Sequence, residues 1–129
     1  MKIQSFDQQC YVEINLAPEG EGHPVFNVEA RIDLGHGLFT ADVTCIALPK
    51  LPEFIVHLES FFLNREMRPK WEGVYESYFS FVSKADRVFL EFSVGYESYY
   101  DCNLIGRFEI DSDHLNTIVS EFKALAATM

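Results

Sequence analysis

From Phe26 to Leu34 the chain alternates without a break. Phe26, Val28, Ala30, Ile32 and Leu34 fall on one side; Asn27, Glu29, Arg31 and Asp33 fall on the other. A period of two predicts a strand with one buried and one wet face. Gly35-His36-Gly37 supplies a turn, and Phe39 to Leu48 continues with Phe39, Ala41, Val43, Cys45 and Ala47 in register. The pair predicts a β-hairpin. In this alternation Cys45 reads as a small core residue. Upstream, Tyr11 to Leu16 alternates through Val12, Ile14 and Leu16, and a loop rich in Gly, Glu and Pro, residues 17–24, separates it from the hairpin.

The period changes at Pro49-Lys50-Leu51-Pro52. Leu51, Phe54, Ile55, Leu58, Phe61 and Phe62 make a stripe at helical spacing, with Pro52 and Glu53 suited to a first turn and Asn64 to a stop. Strand patterns return at Trp71 to Tyr75, Tyr78 to Ser83, Arg87 to Tyr96 and Asn103 to Ile110, with Lys84-Ala85-Asp86 as a hairpin turn. Asp111-Ser112-Asp113 offers N-caps for a closing helix whose stripe is Leu115, Ile118, Val119, Phe122, Leu125 and Ala126. The two stripes superimpose at an offset of 64 residues. Such a stripe fits any amphipathic helix, so it leaves a duplication open.

Runs of strands, each followed by a helix, predict an α+β fold: one curved antiparallel sheet of six to seven strands in the order βββα-ββββα, with both helices packed on one face. A length of 129 residues and the lack of a linker predict a single domain, 1–129. Twelve Phe and a 48% hydrophobic content give that domain ample core without a metal or disulfide. Cys10, Cys45 and Cys102 are widely spaced and odd in number, which argues against a disulfide framework and a zinc site. No secretory signal or bilayer-length apolar run is visible, so a cytoplasmic location is expected.

Charge then changes the picture. Twenty acidic residues against ten basic ones leave a formal charge of -10. Such a field attracts basic partners and repels nucleic acid and anionic membrane. No nucleophile elbow, phosphate loop or dinucleotide fingerprint accompanies it. His23, His36, His57 and His114 are isolated, so no metal or other cofactor is expected. Arg65, Arg68 and Lys70 beside Trp71 are offset by Glu66 and Glu72, a weak phosphate signal.

Two features suggest a recognition surface. Glu13, Glu29, Asp33, Asp42, Glu72, Glu76, Glu91 and Glu109 fall on outward positions and form a platform if the fold gathers them. Tyr75-Glu76-Ser77-Tyr78 recurs as Tyr96-Glu97-Ser98-Tyr99, followed by Tyr100-Asp101. Tyrosine gives contact area at low entropic cost, and the carboxylates suit basic groups. The partner-binding residues expected on these grounds are Glu72, Glu76, Glu91, Glu97, Tyr99, Tyr100 and Asp101; no catalytic residues are assigned.

The strand bearing Gly106-Arg107-Phe108-Glu109-Ile110-Asp111, then Leu115 and a closing helix, resembles the C-terminal signature of WapI-type immunity proteins of bacterial polymorphic toxin systems. The segment from Leu51-Pro52-Glu53-Phe54 to Phe62, leading into Trp71-Glu72-Gly73, is similar to that family's central helix and following strand. The resemblance implies a small cytoplasmic protein that neutralises a cognate toxin, often a nuclease, by stoichiometric binding. The Tyr96 to Asp101 stretch has no counterpart in it. Two other functions stay open: a ligand-binding protein or enzyme with a pocket between sheet and helices lined by Phe79, Phe81, Phe92 and Tyr96 around Glu91, and a structural or oligomerising module pairing through a strand edge; the protein itself is expected to be a monomer or a homodimer.

Overall fold

The computed structural model describes residues 1–18, 24–97 and 101–129, with the backbone alone at 96, 97 and 101. Its elements run β1 (Lys2–Gln4), β2 (Tyr11–Leu16), β3 (Val25–Asp33), β4 (Leu38–Ala47), α1 (Leu51–Leu63), β5 (Lys70–Glu72), β6 (Tyr78–Lys84), β7 (Arg87–Glu97), β8 (Asp101–Ile110) and α2 (Leu115–Ala127). The α+β class and the antiparallel pairing are as expected. The single sheet is not: β1-β2-β3-β4 form one four-stranded meander and β5-β6-β7-β8 a second. Each strand run closes on itself as hairpins, and the helix between the runs separates them.

The element order is therefore ββββα twice. The helices keep the offset seen in their stripes, since Leu51 and Leu115 open them and Leu63 and Ala127 close them. The repeat extends to how the sheets join. Phe6, two residues past β1, donates its backbone N–H to the carbonyl of Glu109 on β8 at 2.8 Å. Val74, two residues past β5, donates to Ala47 on β4 at 3.1 Å. Each half thus ties the end of its short first strand to the last strand of the other half.

The core sits between these halves, with Trp71 at the junction. It meets Phe26 of β3 edge-on at 5.1 Å, stacks on Phe54 of α1 at 5.9 Å and meets Phe122 of α2 edge-on at 6.0 Å. Its indole N–H donates to the Pro49 carbonyl at 2.9 Å, which satisfies the one polar atom taken inside. Phe79, Phe81 and Phe92 are also fully buried. Phe54 and Phe122 pack against each other at 5.2 Å, so the helices share their apolar faces as well as covering the second sheet.

Local chemistry explains where the strands turn. Ala85 and Asp86 both have positive φ, so β6 and β7 join by a two-residue left-handed turn whose twist suits a hairpin. Tyr75 and Glu76 adopt the same conformation between β5 and β6, closed by Ser77 N–H to the Val74 carbonyl at 3.0 Å. That turn ends the strand expected over Trp71 to Tyr75 at Glu72. Gly73 is required there, because a Cβ would collide with the Ala47 carbonyl.

Cys45 departs from expectation. The register slips between Phe26 and Val28, which face Ile46 and Val43, so β4 carries one extra residue. The bulge puts Cys45 at φ 58 and turns it to solvent, and its N–H donates to Asn27 Oδ1 at 3.1 Å.

Candidate functional site

The outer faces of the two sheets carry most of the carboxylates proposed as a platform, and they differ in charge balance. On the second sheet three carboxylates have a base beside them, across the β7–β8 ladder or along β5, while the register also sets Glu97 directly opposite Asp101 at the far end of that ladder. Glu91 faces Arg107 directly and pairs with it at 4.0 Å. Glu109 pairs with Arg87 at 3.9 Å, and Glu72 with Lys70 at 3.6 Å. Arg107 also lies over Phe89 and Lys70 over Tyr78, so the cations are held against this face.

On the first sheet the register does the opposite. Glu13 on β2 faces Glu29 on β3, which faces Asp42 on β4. Alternation along each strand sends all three side chains outward, away from Ile14, Val28 and Ala30 in the core. Directly opposed residues bring their Cβ atoms within about 4.5–5.5 Å, and like charges so placed repel. Lys2 heads the same row opposite Glu13, but its ammonium sits 4.1 Å above the Tyr11 ring. Arg31, in the adjacent row, pairs with Asp33 at 3.8 Å. Among the described residues, Glu13, Glu29 and Asp42 form no ion pair.

Hydrogen bonds position this row without neutralising it. Tyr11 donates its hydroxyl to Glu29 Oε1 at 2.6 Å, and Asn15 Nδ2 donates to Glu13 Oε1 at 3.4 Å. The bond to Glu29 pushes the Tyr11 phenol above its ordinary value; slight burial and the nearby Glu29 charge add to this, and Arg31 opposes it.

The partner-binding residues expected from the sequence are only partly brought together. Glu72 and Glu91 stand on the balanced second face, and Glu76 is exposed in the left-handed turn. That turn is steadied by Asn103, whose Nδ2 donates to the Tyr75 carbonyl at 3.0 Å and to Ser93 Oγ at 2.8 Å. Tyr99 and Tyr100, and the side chains of Glu97 and Asp101, lie outside the described residues. The first-sheet row was visible only as outward carboxylates; which of them share a row depends on strand register.

Of the lining imagined for a pocket, the Tyr96 side chain lies outside the described residues, and the described members do not line one together. Phe79, Phe81 and Phe92 fill the core, whereas Glu91 points to the opposite face of the sheet. Recesses lie elsewhere: an open cleft of about 340 Å³ between the N-terminal strand and α2, and another of about 450 Å³ lined by Ile32, Leu34, Phe39 and residues 103–106. Among the described residues no group of three or more His, Cys, Asp or Glu is placed to hold a metal ion, and no helix is long and apolar enough to cross a membrane. Comparison with family models, curated proteins and solved structures gives no match.

Proposed function

We propose that this protein works by stoichiometric binding to a basic protein partner, most concretely as an immunity protein that occupies the cationic surface of a nuclease-like toxin. The observation that carries this is the Glu13–Glu29–Asp42 row, three like charges held in register on an accessible sheet face. Such a row weakens the fold that displays it, and a cationic partner relieves the repulsion on docking. The net charge of -10 adds a long-range pull in the same direction.

The face around Glu72, Glu76 and Glu91 offers a second docking area. Its carboxylates spend much of their field on Lys70 and Arg107, so it contributes less attraction. A toxin's nucleic-acid site must itself be cationic to hold phosphates, so an acidic inhibitor competes for the same surface.

The test searches the neighbouring reading frames for a nuclease-like toxin domain and titrates that domain, catalytically inactivated, into the protein by calorimetry. The expected result is a one-to-one complex whose affinity falls steeply between low and physiological salt. A salt-independent complex, or none with that domain, contradicts the proposal.

A further inference from the structure

The carboxylate row ends at a strand edge. Asp42 lies on β4, which among the described residues is hydrogen-bonded as a strand to β3 alone. From Leu38 to Val43 none of its residues is buried, and the bulge at Thr44 and Cys45 and the tie from Val74 to Ala47 come only after this stretch. β4 also approaches β7 and β8 without a ladder to either, and an unpaired strand edge is a template for another strand.

The side chains along this edge are sorted by face. Thr40 and Asp42 share the outer face with Arg31 and Glu29, while Phe39, Ala41 and Val43 share the inner face with Ile32, Ala30 and Val28. Phe39 opens on the 450 Å³ cleft, whose far wall is Leu104, Ile105 and Gly106 of β8. Leu34, Leu38, Phe39 and Ile105 are all solvent-exposed apolar residues around this end of the sheet. A strand laid along β4 therefore meets a carboxylate on one of its faces and an apolar recess on the other.

We infer that the Leu38–Val43 edge of β4 takes up an extended segment of the basic partner by strand addition, with Lys or Arg at alternate positions and apolar residues between them. A cation opposite Asp42 becomes the next member of the Glu13–Glu29–Asp42 row, and the intervening side chain opposite Phe39 enters the cleft. Charge selects this occupant over a second copy of the chain. Edge-to-edge pairing of two copies brings together two Asp42 rows and two molecules of charge -10. This inference rests on the function proposed above but adds a backbone contact that the charge argument alone does not require.

The probe is the peptide Lys-Val-Lys-Val-Lys-Val-Lys-Val, compared with the same peptide N-methylated at its backbone amides, titrated into the isotope-labelled protein and followed by NMR and amide exchange. The expected result is that the first peptide slows exchange on Leu38–Val43 and that N-methylation weakens binding about tenfold or more, through lost ladder hydrogen bonds. The Asp42→Asn variant is expected to bind the first peptide more weakly while keeping its own spectrum. Equal binding of both peptides overturns strand addition and leaves acidic docking standing, since only the side-chain charge is then being read. Absence of binding by either peptide, or concentration-dependent dimerisation that protects the same amides, overturns it as well.

Discussion

Glu29 stands directly opposite Asp42 across the β3–β4 ladder, and Glu13 flanks it on the other side, so a carboxylate in the middle of a sheet has a carboxylate on each neighbouring strand. Sheets commonly place opposite charges at such positions, as the second sheet does with Glu91 and Arg107. The contrast is between two rows of one molecule, the Glu91–Arg107 row with opposite charges facing and the Glu13–Glu29–Asp42 row with like charges facing.

Asp42→Asn is expected to stabilise the folded protein by about 0.5 kcal/mol at low salt, because it removes one like-charge opposition while keeping the shape of the side chain. The gain shrinks as ionic strength rises. Urea denaturation at two salt concentrations measures it; a loss of stability contradicts the repulsion.

Tyr11 reports on the same row. Its phenol is raised by donation to Glu29, with the Glu29 charge acting in the same direction. A raised folded value means the contribution to stability is fully present below the unfolded value near 10, and is lost as pH rises through the folded one. Glu29→Gln is expected to move the Tyr11 titration downwards in a labelled-tyrosine NMR experiment. An unmoved titration breaks the link between the two groups.

The turn at Tyr75 and Glu76 holds two non-glycine residues at φ 57. Left-handed backbone costs such residues roughly 1 kcal/mol each, and Asn-Gly is the pair suited to this turn. Replacing Tyr75-Glu76 by Asn-Gly is expected to raise stability by about 1 kcal/mol in urea denaturation. A fall in stability would mean that contacts of these two side chains outweigh the backbone strain.

Trp71 ties β3, β5 and both helices together. Trp71→Phe shrinks a fully buried ring and removes the donor to Pro49. It is expected to cost about 2 kcal/mol, read by circular dichroism in urea. A cost below about 0.5 kcal/mol, typical of surface positions, contradicts its place at the junction.

Much of this fold is legible from periodicity alone. The stripes from Leu51 and Leu115, the Phe26–Leu48 hairpin and the Ala85-Asp86 turn all follow from local patterns. Other features are not local. β1 has only three residues with Ile3 the one buried, too short to show alternation. The division into two sheets depends on which strands are neighbours, whereas alternation reveals only which face is wet. The bulge at Cys45 keeps the apolar rhythm in sequence while breaking it in space. The balance of Glu91 by Arg107, and the lack of balance at Glu29, are set by register between residues many positions apart. For that reason the sequence points to acidic docking in general and to Glu72, Glu76, Glu91, Glu97, Tyr99, Tyr100 and Asp101 in particular, while the cross-strand row becomes visible only in three dimensions.

A pair of variants with equal charge change tests the docking face most directly. Glu13→Gln, Glu29→Gln and Asp42→Asn neutralise the first sheet; Glu72→Gln, Glu91→Gln and Glu109→Gln neutralise the second. Titrated with octalysine and then with the inactivated toxin domain, the first variant is expected to lose at least about tenfold in affinity and the second to lose little, since its carboxylates already have cationic partners. Equal losses from both variants, or a larger loss from the second, would show that the Glu13–Glu29–Asp42 row is not where a basic partner docks.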